Sequence, residues 1–223
     1  MLNKDKLKSA VYAFIFNPGI RLYFSIFIGL IVNVIYIGTN IHTALMHRSF
    51  WSSAITVYYL LFVVLRLYLL WANKREERAV MRCCLTVGIF LLLLTLSAGV
   101  IIAYSVVVEN SVKYSGYVLL AFFVYATYAL STSVVGMKKW LNDNKPLHFA
   151  ARSVTFAAAL MSAFNLQYSL MVSLGLPSAT VKRANAIGGF IIFSTIATIS
   201  VALVLRSAKG LKISKICRNS YNA

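Results

Sequence analysis

The chain has 223 residues, of which 60% are hydrophobic and only 12% are charged. A soluble domain is about half apolar and about a quarter charged, so a soluble core of this size could not cover so much apolar surface. The 22 Lys and Arg residues against five Asp and Glu give a net charge of +17. No basic stretch is interleaved with aromatic residues, which argues against nucleic acid as a partner. The composition therefore indicates a membrane protein.

Taken in chain order, the first 21 residues are basic, with a short apolar run that ends before Pro18 and Gly19. This pattern predicts a short amphipathic segment on the inner membrane surface. A bilayer core of ~30 Å requires ~20 apolar residues in a helix. Six stretches of sufficient length follow: Leu22–Leu45, Trp51–Trp71, Cys83–Val108, Tyr117–Met137, Ala150–Leu176 and Ala184–Leu205. The sequence thus predicts an all-α fold, a polytopic transmembrane bundle of six helices over residues 22–205, followed by a basic tail at 206–223.

The basic residues between these stretches alternate from loop to loop. Loops at 1–21, 72–82, 138–149 and 206–223 carry 16 Lys and Arg, whereas the intervening loops carry four: Arg48, Lys113, Lys182 and Arg183. Because cytoplasmic loops are enriched in Lys and Arg, both termini are predicted to be cytoplasmic. The predicted location is the plasma membrane, where the basic face contacts anionic headgroups of the inner leaflet.

The residue types that membrane enzymes use for catalysis are scattered along the chain. No acidic residue lies inside a predicted span; the five are Asp5, Glu76, Glu77, Glu109 and Asp143. The three histidines lie near opposite membrane faces, and no G-x-S-x-G, H-E-x-x-H or Walker motif occurs. We therefore expect no enzymatic activity, no catalytic residue, no bound cofactor and no metal site.

Polar residues inside the spans follow helical spacing instead. One face of the first span carries Gly29, Asn33, Tyr36 and Asn40, and one face of the fifth carries Ser162, Asn165, Ser169 and Ser173. The second span carries Tyr59 and Arg66, seven residues apart. Because amide and guanidinium groups are costly in lipid, these faces are expected to turn inward. Trp51 and Trp71 lie at the two ends of the second span, where interfacial anchors are typical.

Two interpretations of these polar faces remain open. In the first, the protein binds or passes a small polar solute or a lipid through a site among spans one, two and five. Its candidate ligand-binding residues are Asn33, Asn40, Tyr59, Arg66 and Asn165, with Arg66 as the positive anchor. In the second, the polar groups only join helices, Arg66 extends to the headgroups, and the protein is structural or regulatory. Its basic face would then bind anionic lipid or a partner subunit in the membrane or cytoplasm.

Three stretches of the chain carry a resemblance. They are Phe50-Trp51 with Tyr58-Tyr59 and Arg66, the run Asn165-Leu166-Gln167-Tyr168-Ser169-Leu170-Met171, and the run Arg183-Ala184-Asn185-Ala186-Ile187-Gly188-Gly189. Together they resemble an uncharacterised family of polytopic, about six-span membrane proteins of Gram-positive bacteria. The resemblance implies a bacterial plasma membrane and implies no particular activity.

Overall fold

A computed structural model gives the structure of the chain. It describes residues 18–48, 50–72, 77–107, 116 and 146–221, and within the fourth predicted span residues 119–120, 123–124, 126–127, 129–131 and 133. All of these residues are helical except 48 and 174–177. The all-α prediction is therefore confirmed for the part of the chain that the structure describes. Most of the amphipathic segment predicted at 1–21, and much of Tyr117–Met137, lie outside the described residues.

Five continuous helices are present among the described residues. They are α1 (Pro18–His47), α2 (Phe50–Ala72), α3 (Glu77–Val107), α4 (Pro146–Ser173) and α5 (Ser178–Tyr221). Each is long and apolar enough to cross a membrane. Large apolar side chains, for example Leu45, Val107 and Phe190, cover the outer surfaces of the helices. Most side-chain amides of the helices are buried. Apolar surface outside and polar groups inside are the arrangement that a lipid solvent favours. The architecture is that of a multi-pass membrane protein.

The turn between α4 and α5 is tight and has a defined geometry. Gly175 adopts a positive φ of 69°, its amide donates to the carbonyl of Val172, and the amide of Leu176 donates to that of Met171. These two hydrogen bonds form a Schellman motif, in which glycine tolerates the left-handed conformation at low cost. The turn reverses the chain within four residues, so α4 and α5 are antiparallel neighbours.

Helix α5 extends well beyond the predicted last span. Its 44 residues correspond to about 66 Å of helix, roughly twice the thickness of a bilayer core. The stretch that the sequence predicts as a basic tail, 206–223, continues this helix without interruption as far as Tyr221. Backbone hydrogen bonds are made within the helix itself, so the helix does not have to end where the apolar run ends.

Four contacts set the directions of α1, α2 and α4. They are Gly29–Arg66, Tyr36–Tyr59, Trp51–Tyr168 and Tyr59–Ala158. In each helix pair, residues later in one helix meet residues earlier in the other, so α2 is antiparallel to both α1 and α4. Helices α1 and α4 therefore run in the same direction. We call the end of the bundle that carries the α1–α2 turn the Arg48 end, and the opposite end the Ala72 end.

Helices α3 and α5 form an extended antiparallel pair. Glycines lie at several of their contacts, namely Gly88 with Val204, Gly99 with Phe193 and Gly189 with Ile102. Small residues allow helix backbones to approach closely in a membrane, where van der Waals packing drives association. Because α5 is antiparallel to both α3 and α4, α3 also runs from the Ala72 end to the Arg48 end.

Helix α4 lies at the centre of the described bundle and contacts the other four helices. Its buried surface is rich in small residues, including Ala150, Ala157, Ala158 and Ser162. A helix that is surrounded by protein does not need the strongly apolar surface that lipid requires, so α4 can carry polar groups on several faces. This central helix brings Asn165 and Ser162 within reach of α1 and α2.

Candidate functional site

A buried asparagine joins three helices. Asn165 of α4 accepts a hydrogen bond from the indole nitrogen of Trp51 at 3.0 Å, and its amide nitrogen donates to the hydroxyl of Tyr36 at 2.6 Å. Asn165 is fully buried, and Trp51 and Tyr36 are nearly so. The side chain therefore uses one of its two acceptor lone pairs and one of its two N–H donors to connect α4 with α2 and with α1.

A second set of hydrogen bonds lies nearer the Ala72 end. The hydroxyl of Tyr59 contacts the hydroxyl of Ser162 at 2.7 Å and donates to the carbonyl of Ala158 at 3.2 Å. The ring of Tyr59 also contacts that of Tyr36, with 4.4 Å between ring centroids. This ring contact connects the Tyr59 cluster (Tyr59, Ser162 and Ala158) to the Asn165 cluster (Asn165, Trp51 and Tyr36). The polar groups of α1, α2 and α4 thus form one continuous array.

Arg66 lies at the end of this array closest to the Ala72 end. Its side chain is only 2% exposed, and its guanidinium packs directly on Gly29 of α1. A Cβ atom on residue 29 would overlap the guanidinium and would lie 2.9 Å from Nη2. The guanidinium therefore points into the bundle, and the interpretation in which Arg66 extends to surrounding headgroups does not describe this structure.

The remaining predicted residues lie on the same face of α1. Asn33 and Asn40 are both fully buried, and Asn33 is one helical turn from Gly29 on one side and about one turn from Tyr36 on the other. The Nδ2 atom of Asn40 donates to the carbonyl of Tyr36 at 2.8 Å.

The prediction that the polar faces of the helices turn inward is confirmed. The structure places all five candidate residues, Asn33, Asn40, Tyr59, Arg66 and Asn165, among α1, α2 and α4. We call this array, together with Tyr36, Trp51 and Ser162, the polar column.

No family model, curated protein or solved structure matches the chain. What the polar column can bind is therefore inferred from the chemistry of its own side chains. It combines a permanent positive charge with amides and hydroxyls that can donate or accept. Among the described residues, no three His, Cys, Asp or Glu side chains come together as metal ligands would.

Helices α1, α2 and α4 contain no Asp or Glu. A carboxylate that reaches Arg66 must therefore come from another part of the chain or from a bound molecule. An arginine in the interior of a membrane bundle is costly, and such residues usually mark a ligand or an ion pathway. The column can accordingly receive an anionic group at its Arg66 end and hydrogen-bonding groups along its length.

Trp51 and Asn185 differ from what the sequence predicts. The position of Trp51 predicts an interfacial anchor like Trp71, but Trp51 is 1% exposed and bonded to Asn165, whereas Trp71 is 56% exposed. Asn185 of α5 is fully buried, and neither of its amide atoms has a hydrogen-bond partner in the described structure. In the sequence, Asn185 stands out only because it lies in the run from Arg183 to Gly189, one of the three stretches that carry the family resemblance.

Proposed function

We propose that this membrane protein binds or passes a small polar solute or a lipid, without chemical conversion, at the polar column among α1, α2 and α4. Arg66 holds a negatively charged group of the ligand. The amide and hydroxyl groups of Asn33, Tyr59, Asn165 and Asn40 hydrogen-bond the remainder. The observation that carries this proposal is the burial of the Arg66 guanidinium against Gly29.

The burial of the Arg66 guanidinium has an energetic cost. Moving a guanidinium from water into the bundle costs several kcal/mol after relaxation, and an anion beside it recovers much of that cost. A positively charged residue that served only to anchor the helix at the headgroups would extend out of the bundle. In contrast, Arg66 is oriented toward α1, at the same level as Gly29, which leaves room for it by having no side chain.

The shared chemistry of the ligand is an anionic group, which either a lipid headgroup or a free solute can supply. The purified protein in a neutral maltoside detergent is heated with three probes in turn: phosphatidylglycerol in the micelle, inorganic phosphate and short carboxylates. Potassium chloride at equal ionic strength is the control.

A probe at about 100 times its Kd should stabilise the protein by about 2.7 kcal/mol. Selective stabilisation by phosphatidylglycerol indicates a lipid, and stabilisation by a soluble anion indicates a solute. If no probe stabilises the protein more than chloride does, the proposal is contradicted.

We infer that the bundle has six spans. Helix α3 ends at Val107 at the Arg48 end, and α4 begins at Pro146 at the Ala72 end, because both run in the same direction. The chain between them must therefore return across the bundle, which supports the predicted span Tyr117–Met137. The described residues between 116 and 133 are helical, in agreement with that span.

The proposed orientation places the Ala72 end in the cytoplasm of a bacterial cell, with both termini on that side of the plasma membrane. The described basic residues support it. Lys182 and Arg183 lie in the first two turns of α5, at the Arg48 end, whereas Arg82 of α3 and most basic residues of α5 lie toward the Ala72 end. Under the positive-inside rule the more basic end is cytoplasmic.

One observation favours a second, regulatory function. Helix α5 extends past the predicted last span to Tyr221, and Lys209 and Lys212 in this extension are exposed. Lysines near an anionic membrane surface each contribute about 1 kcal/mol of binding. This extension could bind inner-leaflet lipid or a partner subunit. Truncation after residue 208 distinguishes the two functions, because it should weaken lipid or partner binding by the tail and leave anion binding at Arg66 unchanged.

A further inference from the structure

Two buried polar groups lie beyond the Asn165 cluster, on the side of the Arg48 end. Asn40 of α1 and Ser169 of α4 are both fully buried. The Oδ1 atom of Asn40 and the hydroxyl oxygen of Ser169 have no hydrogen-bond partner in the described part of the structure. The Nδ2 atom of Asn40 is already used, since it donates to the carbonyl of Tyr36. The group that Asn40 still offers is therefore an acceptor.

Helical register relates these two residues. Helices α1 and α4 run in the same direction, and the hydrogen bond between Tyr36 and Asn165 fixes their relative height. Asn40 and Ser169 each lie four residues further along, about one turn in both helices. They therefore lie at the same level, on the polar faces of α1 and α4. Ser173, one more turn toward the Arg48 end, also has a buried hydroxyl oxygen with no partner among the described residues.

Buried polar groups without partners are rare in folded proteins, because each loses the hydrogen bonds that water would have made. Here they recur at Ser169 and Ser173, on successive turns of α4 beyond Asn165, with Asn40 of α1 at the level of Ser169. Elsewhere on α4, the hydroxyls of Ser153 and Thr155 donate to the carbonyls of Phe149 and Ala151 within their own helix. Ser169 lacks such a bond, so its hydroxyl remains able to bind another molecule.

We propose that Asn40 Oδ1 and Ser169 Oγ form a second subsite, between the Asn165 cluster and the Arg48 end, for a ligand group that donates hydrogen bonds. A hydroxyl, an amide N–H or an ammonium group fits this chemistry, and water occupies the subsite before the solute arrives. The inference rests on the proposed function and extends it. The solute enters from the Arg48 end, is held at Asn40 and Ser169, and passes the Trp51–Asn165–Tyr36 hydrogen bonds to reach Arg66.

Cysteine accessibility tests the subsite without requiring a known ligand. Ser169→Cys is made in a chain whose Cys83, Cys84 and Cys217 have been replaced by alanine, and the purified protein in maltoside micelles is treated with a hydrophilic, positively charged methanethiosulfonate reagent. Ser105→Cys of α3 is the matched control. Ser105 is also a buried serine, and the helix register places it within about one turn of the depth of Ser169 in the bundle. Its hydroxyl, however, donates to the carbonyl of Ile102.

Reaction with the reagent requires a hydrated thiolate, which a dry apolar site suppresses. We expect Ser169→Cys to react at least about tenfold faster than Ser105→Cys, because only the former lies on a hydrated route. Equal, slow rates at the two positions would overturn the inference. That failure would leave the proposed function in place, since anion stabilisation through Arg66 is measured separately.

A second measurement applies even where a cysteine variant folds poorly. If the Ser169 hydroxyl has no partner in a dry interface, Ser169→Ala removes a buried unsatisfied group and raises Tm. If water or ligand binds the hydroxyl, Tm stays the same or falls. An increase in Tm for both Ser169→Ala and Asn40→Leu therefore also overturns the inference.

Discussion

The guanidinium of Arg66 occupies the volume in which a side chain on residue 29 would lie, so Arg66 and Gly29 form a single fitted contact between α2 and α1. This relationship explains how a bulky charged residue can be 2% exposed in the interior of the bundle. It also explains why the glycine on the polar face of α1 lies at this position.

Gly29→Ala should displace the Arg66 guanidinium. Overpacking of this kind costs about 1–3 kcal/mol, so the free energy of unfolding measured by SDS titration in mixed micelles should fall by that amount. The control is Gly38→Ala on the same helix, where nothing lies within 4 Å of the added methyl group. Gly38→Ala should be neutral or slightly stabilising, since alanine favours helix by up to about 1 kcal/mol. Equal effects of the two substitutions would show that Arg66 is not held at Gly29.

The adjacent tyrosines of α2 provide a matched pair. Both are buried, but Tyr59 donates its hydroxyl to α4, whereas the Tyr58 hydroxyl has no partner among the described residues. Tyr59→Phe should lower the free energy of unfolding by about 0.6 kcal/mol, the mean measured for interhelical hydrogen bonds in membranes, and by no more than about 1.7 kcal/mol, the maximum. Tyr58→Phe should be neutral or stabilising, because it removes an unsatisfied buried hydroxyl. The reverse order of stabilities would contradict the hydrogen-bond assignment.

Asn165→Leu should affect Trp51 directly. The substitution removes the acceptor of the indole N–H and the donor to the Tyr36 hydroxyl, leaving both partners buried. We expect a loss of about 1–3 kcal/mol in the free energy of unfolding, together with a change in the fluorescence of Trp51 in a chain carrying Trp71→Phe and Trp140→Phe. Thr198→Ala, an exposed position on α5 whose hydroxyl bonds to its own helix, is the control. An unchanged Trp51 spectrum in Asn165→Leu would argue against the hydrogen bond.

The direction of the helices predicts the location of the termini. Reporters that fluoresce only in the cytoplasm, or are active only outside it, are fused after Ala223 and inserted in the α4–α5 turn next to Gly175. We expect the first fusion to report the cytoplasm and the second to report the outside, because α5 crosses the membrane between them. A cytoplasmic signal at both positions would contradict a membrane-spanning α5. An external signal after Ala223 with a cytoplasmic one at Gly175 would reverse the proposed orientation.

The sequence predicted the inward faces well and the helix ends poorly. Spacing alone placed Asn33, Tyr36 and Asn40 on one face, because the helical period is fixed and lipid excludes amides. Hydropathy located the apolar part of each span but not the helix around it. Thus α1 begins at Pro18 instead of Leu22, and α5 begins at Ser178 instead of Ala184. A helix makes its own backbone hydrogen bonds and continues past the apolar region.

Contacts between distant residues were beyond sequence reasoning. Arg66 lies six residues before the end of α2, near enough for its side chain to reach the headgroups, and only the position of Gly29 on α1 shows that it turns inward instead. Trp51 lies at a helix end, which is typical of interfacial anchors, but the placement of Asn165 more than a hundred residues later makes it part of the column. Whether a side chain near a helix end turns into the bundle or toward the headgroups depends on which helices become neighbours, and the local sequence pattern does not contain that information.

The affinity of matched charge variants for an anion decides whether Arg66 binds an anionic group. The Kd of the most stabilising probe anion is measured for the wild type, Arg66→Leu and Arg82→Leu. Both substitutions remove one positive charge, but Arg82 is exposed near the Ala72 end of α3. We predict at least a tenfold loss of affinity, about 1.4 kcal/mol, in Arg66→Leu and little change in Arg82→Leu. Equal Kd values in Arg66→Leu and the wild type would show that Arg66 does not hold the anion.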